Sequence, residues 1–375
     1  MKVHKFQILK GEPLPLISVS EADLVLAFGS KELLSDHSII DLISTAYPKA
    51  VRVYCSSAGE IHGTEVFDDT VTVTAMKFEK TPLRANNLSI QDYPDSFAAG
   101  AGLVKPLIAS DLRHILVFSD GAMVNGSELV RGMLSVVPEG VTVAGGLAGD
   151  AARFESTLTG LNTYPSHGQI IAVGFYGDHI KMSHGSYGGW DSFGLEKTVT
   201  RSRANVLFEI DGQNVLESYK NYLGKYANEL PGSALLFPLS VRLNDGGDVL
   251  VRTILSINEE DQSMIFAGDI PEGSKVRFMK ANFDRLIDAA SLAAKTSLTT
   301  LQEMSAKVAI LISCVGRKLI LGSRIDEEVE AVREILGQGT LITGFYSYGE
   351  ISPVNESTKC ELHNQTMTIT CFEEI

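Results

Sequence analysis

The chain has 375 residues, more than one small core usually fills, so its length favours two domains. Apolar residues at 44%, charged residues at 21% and 34 glycines exclude disordered, fibrous and collagen-like classes. A net charge of −14 repels phosphate backbones and anionic lipid surfaces, which argues against nucleic-acid and membrane partners.

The segment from Met1 lacks the apolar core and cleavage site of a secretory signal, and no apolar run approaches the roughly 18 residues a bilayer requires. The reading is therefore a cytoplasmic protein. Next come a strand over 23–30, a helical stretch carrying Leu33, Leu34, Ile39, Ile40 and Ile43, a strand from Val51 leading to Glu60, and an alternating strand over 71–78. The same unit recurs as a strand at 114–121, a helix over 127–136, a strand from Val141 to Asp150 and another at 170–176. A different block follows: a hairpin turn at Gly177-Asp178, a glycine-rich run over 185–194 containing Trp190, a strand at 205–211 and a helix at 214–223. A hairpin of strands 249–257 and 263–270, a strand at 275–279 and a long amphipathic helix over 283–298 complete it. The unit then appears a third time, as a strand at 308–316, a helix over 326–336, a strand from Leu341 to Glu350 and a last strand at 367–372.

Each copy reaches a turn that reads small or aromatic, glycine, acid: Ala58-Gly59-Glu60, Ala148-Gly149-Asp150 and Tyr348-Gly349-Glu350. Glycine suits a turn of positive φ or close backbone approach, and the acid accepts turn N–H groups. The pattern predicts an α/β protein of two domains, 1–218 and 219–375. Layered mixed sheets with flanking helices are built in part from a repeated strand-helix-strand unit.

These strings together resemble the FIST family of signal-transduction sensory domains, with its FIST N and FIST C parts. The resemblance rests on Cys55 to Glu60, Gly145 to Asp150, the Gly-Gly-Trp run ending at Trp190, and Val206 to Gly212. It continues through Phe266 to Gly273, Ser313 to Arg317, Gly344 to Glu350 and Leu362 to Met367. It spans residue 23 to the C-terminus and implies a small-ligand sensor rather than a catalyst. With no length left for an output domain, it implies action on a separate signalling protein. Among FIST proteins the chain looks most like the stand-alone haem-binding, nitric-oxide-sensing subset, which implies haem b as cofactor and a histidine kinase as partner. The alternative is a FIST sensor of an amino acid or related metabolite without haem.

For haem, a neutral imidazole is the usual axial ligand, and two histidines stand out. His184 enters the glycine-rich run beside Trp190, and His363, followed by Asn364, precedes the final strand. A hydrogen-bonded structural role is the alternative for both. Arg317, after a strand end and a glycine, suits a clamp for a carboxylate ligand or an ion pair with Glu350 or another acid. Tyr346 and Tyr348 are expected on one side of their strand, where they line either a pocket with Glu350 or the core. The acidic run 326–330 reads as a solvated helix start. A different class, a Cys-dependent enzyme, would centre on Cys314, whose neighbour Arg317 could lower its pKa; the competing reading is a buried small hydrophobe. The four cysteines (Cys55, Cys314, Cys360, Cys371) have no metal-site or disulfide spacing, and 145–149 matches no nucleotide-binding loop.

Overall fold

The structure, a computed structural model, describes residues 1–15, 17, 21–230, 232–242, 249–301, 306–353 and 360–375. Each of the three repeats builds one sheet in the same strand order. In the first, Lys2–Leu9 pairs with Thr70–Lys77, which pairs with Leu24–Gly29, which runs parallel to Val51–Ser56. The second repeats this with Leu83–Ser89, Gln169–Tyr176, Leu112–Ser119 and Thr142–Leu147. The third does so with Ile180–Tyr187, Met367–Glu374, Val308–Cys314 and Leu341–Ser347. The central strands are buried on both faces, which explains why Leu24–Gly29 and Val308–Cys314 read as continuous apolar runs rather than alternating ones.

What joins the sheets is the strand after each glycine-acid turn, which leaves its own repeat. Glu60–His62 pairs with Leu341–Ser347 of the third repeat, and Gly349–Pro353 pairs with Thr142–Leu147 of the second. Thr159–Leu161 returns from the second repeat to Val51–Ser56 of the first. The exchange closes a ring with pseudo-threefold character. Its shared centre is one apolar cluster to which the first repeat gives Leu26 and Phe28, the second Leu116 and Phe118, and the third Ile310, Ile312 and Phe345. Phe28 stacks on Phe345 with centroids 4.7 Å apart.

Helices cover the outer faces: His37–Ala46 on the first sheet, Ser96–Val104 and Gly126–Leu134 on the second, Phe283–Thr300 and Ile325–Leu336 on the third. Gly145 and Gly344 hold equivalent places in the parallel strands, at φ 150° and 159°. A Cβ there would lie 1.8 Å from the carbonyl oxygens of Val117 and Leu311, so no other residue fits.

The different block is an insertion. Strands from Asp191–Arg203 to Lys275–Lys280 form a fourth, antiparallel sheet around its own core, which includes Leu207, Ile210, Tyr219, Phe266 and Phe278. The division expected at 218 falls within its helix Val215–Leu223, and the sheets are shared between the two halves of the chain. The glycine-rich run is not an open loop: Gly185 lies in the strand Ile180–Tyr187, and a Cβ there would sit 2.0 Å from the Ala293 carbonyl, so it seats the long helix. The third repeat also gains a helix, Val315–Leu321, directly after Cys314.

Candidate functional site

The three turns meet and hydrogen-bond in a ring. Ala58 N–H donates to the Tyr346 carbonyl and Tyr346 N–H to the Gly59 carbonyl, both at 2.8 Å. Tyr348 N–H donates to Leu147 at 3.2 Å, Gly149 N–H to Ser56 at 2.9 Å and Ala151 N–H to Ser57 at 3.1 Å. The equivalence reaches neighbouring residues: the amides of Ser30, Asp120 and Cys314 donate to the carbonyls of Thr70, Gln169 and Thr366. Cys314 thus fills a repeat position that holds serine and aspartate elsewhere.

Each turn carries a buried carboxyl. Glu60 accepts from the hydroxyl of Ser57, and from the amide and hydroxyl of Thr70 at 3.1 and 2.8 Å. Glu350 repeats the arrangement with Ser347 at 2.8 Å and with the amide and hydroxyl of Thr366 at 3.2 and 2.9 Å. Burial disfavours the ionised form and lifts Glu60 to about 7 and Glu350 to about 8. Asp150 differs: burial opposes its charge, but the Tyr348 hydroxyl, the Ser156 and Glu155 amides and Lys31, 3.7 Å away, outweigh it and hold the carboxyl below its ordinary range.

Beside the first turn lies a cavity of about 560 Å³ to which all three repeats contribute. The first supplies Ser30, Ser57, Gly59, Glu60 and Asp68; the second supplies Ala151 to Arg153; the third supplies Val315, Lys318, Leu319 and Ile325. Lys318 Nζ donates to the Ala58 carbonyl at 2.9 Å and pairs with Asp68. Gly59, at φ 141°, makes room for it: a Cβ there would meet Lys318 Nζ at 2.5 Å. A second cavity, about 270 Å³, lies between the ring and the inserted sheet and is lined by residues that include Phe154, Tyr348, Asn205 and Phe266.

Of the residues singled out from the sequence, Glu350 and Tyr348 belong to the ring. Tyr348 lines the smaller cavity and donates its hydroxyl to Asp150. Arg317 is not a ligand clamp. It is fully buried, donates from Nε and Nη2 to Glu328 at 3.0 and 2.7 Å, and its remaining donors reach the Gly188 and Leu286 carbonyls. Tyr346 turns to the same carboxylate, donating at 2.6 Å, and packs in the core rather than lining a pocket. Glu328, within the run read as solvated, is therefore the centre of a buried network. Cys314 is buried, and desolvation, then the nearby Glu350, pushes its thiol up, opposite to what a nucleophile needs.

Trp190 donates to the Gln365 carbonyl at 2.9 Å and packs in the core. Asn364 is buried, with both amide atoms lacking a partner among the described residues. His184 is buried, which lowers it to about 4; its Nδ1 faces the Thr370 hydroxyl at 3.1 Å and its Nε2 the Thr142 hydroxyl at 3.2 Å. His363 Nε2 faces the Ser352 carbonyl at 3.1 Å. Haem needs an imidazole nitrogen turned to the iron and a slot for the macrocycle. Both ring nitrogens of His184 are engaged, His363 turns Nε2 to backbone, and neither lines the two cavities at the ring. These residues do not fit haem.

Glu60 was singled out only as a turn acid, and Ser57, Lys318 and Arg153 were not singled out from the sequence. The legible signal was the spacing: serine stands three residues before the acid at both Glu60 and Glu350.

A ring of sheets closed around buried acidic turns, with cavities at its joints, defines an α/β protein built to hold a small ligand. The particular family is the FIST family, to which this chain belongs: the FIST N domain matches residues 23–213 and the FIST C domain residues 216–353. FIST domains are small-ligand sensor domains of signalling proteins. Comparison with curated proteins gave no match. Among solved structures, a cyanuric acid hydrolase from A. caulinodans is similar over 99% of each chain, at 9% identity and a TM-score of 0.37, a likeness too slight to carry an argument. Among the described residues, no helix is long and apolar enough to cross a membrane.

Proposed function

We propose that the protein senses a small zwitterionic metabolite of amino-acid type, without haem, in the cavity beside the first turn, and signals to a separate protein. The observation that carries this reading is the lining: Arg153 and Lys318 offer positive charge, Asp68 and Asp69 offer negative charge, and Val66, Leu319 and Ile325 offer an apolar wall. A ligand carboxylate suits the cations; its ammonium group suits the aspartates. Because Lys318 already spans the Ala58 carbonyl and Asp68, a carboxylate that draws it away alters the turn's contact with the third repeat. A ligand shifts a conformation only through such unequal contacts.

The test is calorimetric titration with the standard amino acids and their close relatives. Saturable binding of at least one, weakened at least about tenfold by Lys318→Met, is the expected result. No binding at millimolar concentration overturns the reading, as does a Soret band in the purified protein that is lost on His184→Ala or His363→Ala.

A further inference from the structure

The smaller cavity is distinct in chemistry. Three of its lining side chains, Met123, Phe154 and Leu255, are large apolar groups that remain 49%, 41% and 43% exposed. Such groups clustered about one hollow mark a place where apolar surface awaits a partner. The Phe154 ring stacks on Tyr348 with centroids 4.5 Å apart and planes 18° from parallel, and Phe266 closes the side formed by the inserted sheet. A hollow of about 270 Å³ walled by a stacked ring pair suits a flat molecule of one or two fused rings.

Both cavities share a wall. Ala151, Ala152 and Arg153 line the larger one and Phe154 the smaller, so one short segment has a cavity on either side. Its backbone is strained: Ala151 and Phe154 stand at φ 62° and 55°, a region that non-glycine residues rarely adopt. The strain is held by Asp150, which accepts from the Phe154, Glu155 and Ser156 amides at 2.9, 3.2 and 3.0 Å and from the Tyr348 hydroxyl.

We infer that the smaller cavity is a second ligand site, for a planar aromatic molecule, and that it is coupled to the larger cavity through the strained segment Asp150–Phe154. The coupling rests on the proposed sensing role of the larger cavity; the site itself does not. A ring sliding onto Phe154 fixes the segment from one side, and the arrangement of Ala151 to Arg153 changes on the other.

Indole is the probe, titrated against the full chain by calorimetry and observed by saturation-transfer NMR. Saturable binding is expected, weakened at least about fivefold by Phe154→Ala, which removes an exposed stacking ring, and unchanged by Lys318→Met. No saturable binding, or equal affinity in Phe154→Ala, overturns the site. Loss of binding in Lys318→Met places indole in the larger cavity and also overturns it. For the coupling, hydrogen exchange at the Phe154, Glu155 and Ser156 amides is expected to slow at saturating indole; unchanged exchange there refutes the coupling. These outcomes are independent of the amino-acid titrations, so either reading can fail alone.

Discussion

Replacing Arg317 with methionine separates a structural cation from a ligand-binding one. The guanidinium and the Glu328 carboxylate are both fully buried, and the substitution removes two bonds to Glu328, at 3.0 and 2.7 Å, and the donors to the Gly188 and Leu286 carbonyls, at 2.6 and 2.7 Å. Among the described residues, Glu328 then retains only the hydroxyls of Tyr346 and Ser313. A buried charge stripped of its partner destabilises by about 3–5 kcal/mol, because its desolvation is no longer offset. Arg317→Met is therefore expected to lose that much in urea unfolding followed by circular dichroism. The double variant Arg317→Met/Glu328→Gln removes the stranded charge while leaving an acceptor for Tyr346, so it is expected to be more stable than Arg317→Met alone. The resulting coupling is about 0.5–3 kcal/mol, the range of directly contacting pairs. A single variant within about 1 kcal/mol of the parent, with an additive double variant, refutes the argument.

Two further predictions concern protons and thiols. Burial holds His62 and His184 at about 4 and His114 at about 3, so below 6.5 the unfolded chain binds protons that the folded one refuses, and stability rises with pH up to about 6.5. Glu60 and Glu350 act oppositely: their stabilisation is complete below 4.5 and declines as pH rises to about 7 and about 8, each by about 1.4 kcal/mol per unit. Urea midpoints should therefore peak near pH 6.5 and fall towards 8, and Glu350→Gln should flatten the fall between 7 and 8; an unaltered slope in that variant contradicts the assignment. All four cysteines are buried with thiols pushed up, so iodoacetamide at pH 8 should leave the native protein unlabelled and modify four sites in denaturant. Rapid labelling of native Cys314 would revive the enzyme reading.

The repeat was legible because it is a local pattern: apolar strand, helix, apolar strand, glycine-acid turn. The turn acids were legible for the same reason. Glu328 was misread although its signal lay in the sequence. On the helix Ile325–Leu336 the buried positions are Ile325, Val329, Val332 and Leu336, and a residue three after Ile325 shares their face. The acidic run drew attention to charge where periodicity decided the matter. Lys318 and Lys31 were beyond reach, because each acts on a turn of a different repeat. Only the exchange of strands between sheets brings them there. The histidines failed for a related reason: His184 was read at a strand end running into flexible glycine, but the strand continues to Tyr187 and the pairing with Thr370 holds the imidazole in a sheet.

The exchange also constrains how a ligand can act. Each sheet ends on a strand supplied by another repeat, and each turn is bonded to two neighbours, so no repeat can tilt without breaking backbone hydrogen bonds at both joints. Such ladders behave as rigid, cooperative units. Outside the ladders lie the strained segment around Phe154 and the Lys318 side chain on the helix Val315–Leu321. Both border the larger cavity, and the helix adjoins the joint between the first and third repeats. Ligand occupancy would therefore be felt first at a joint of the ring rather than within a sheet.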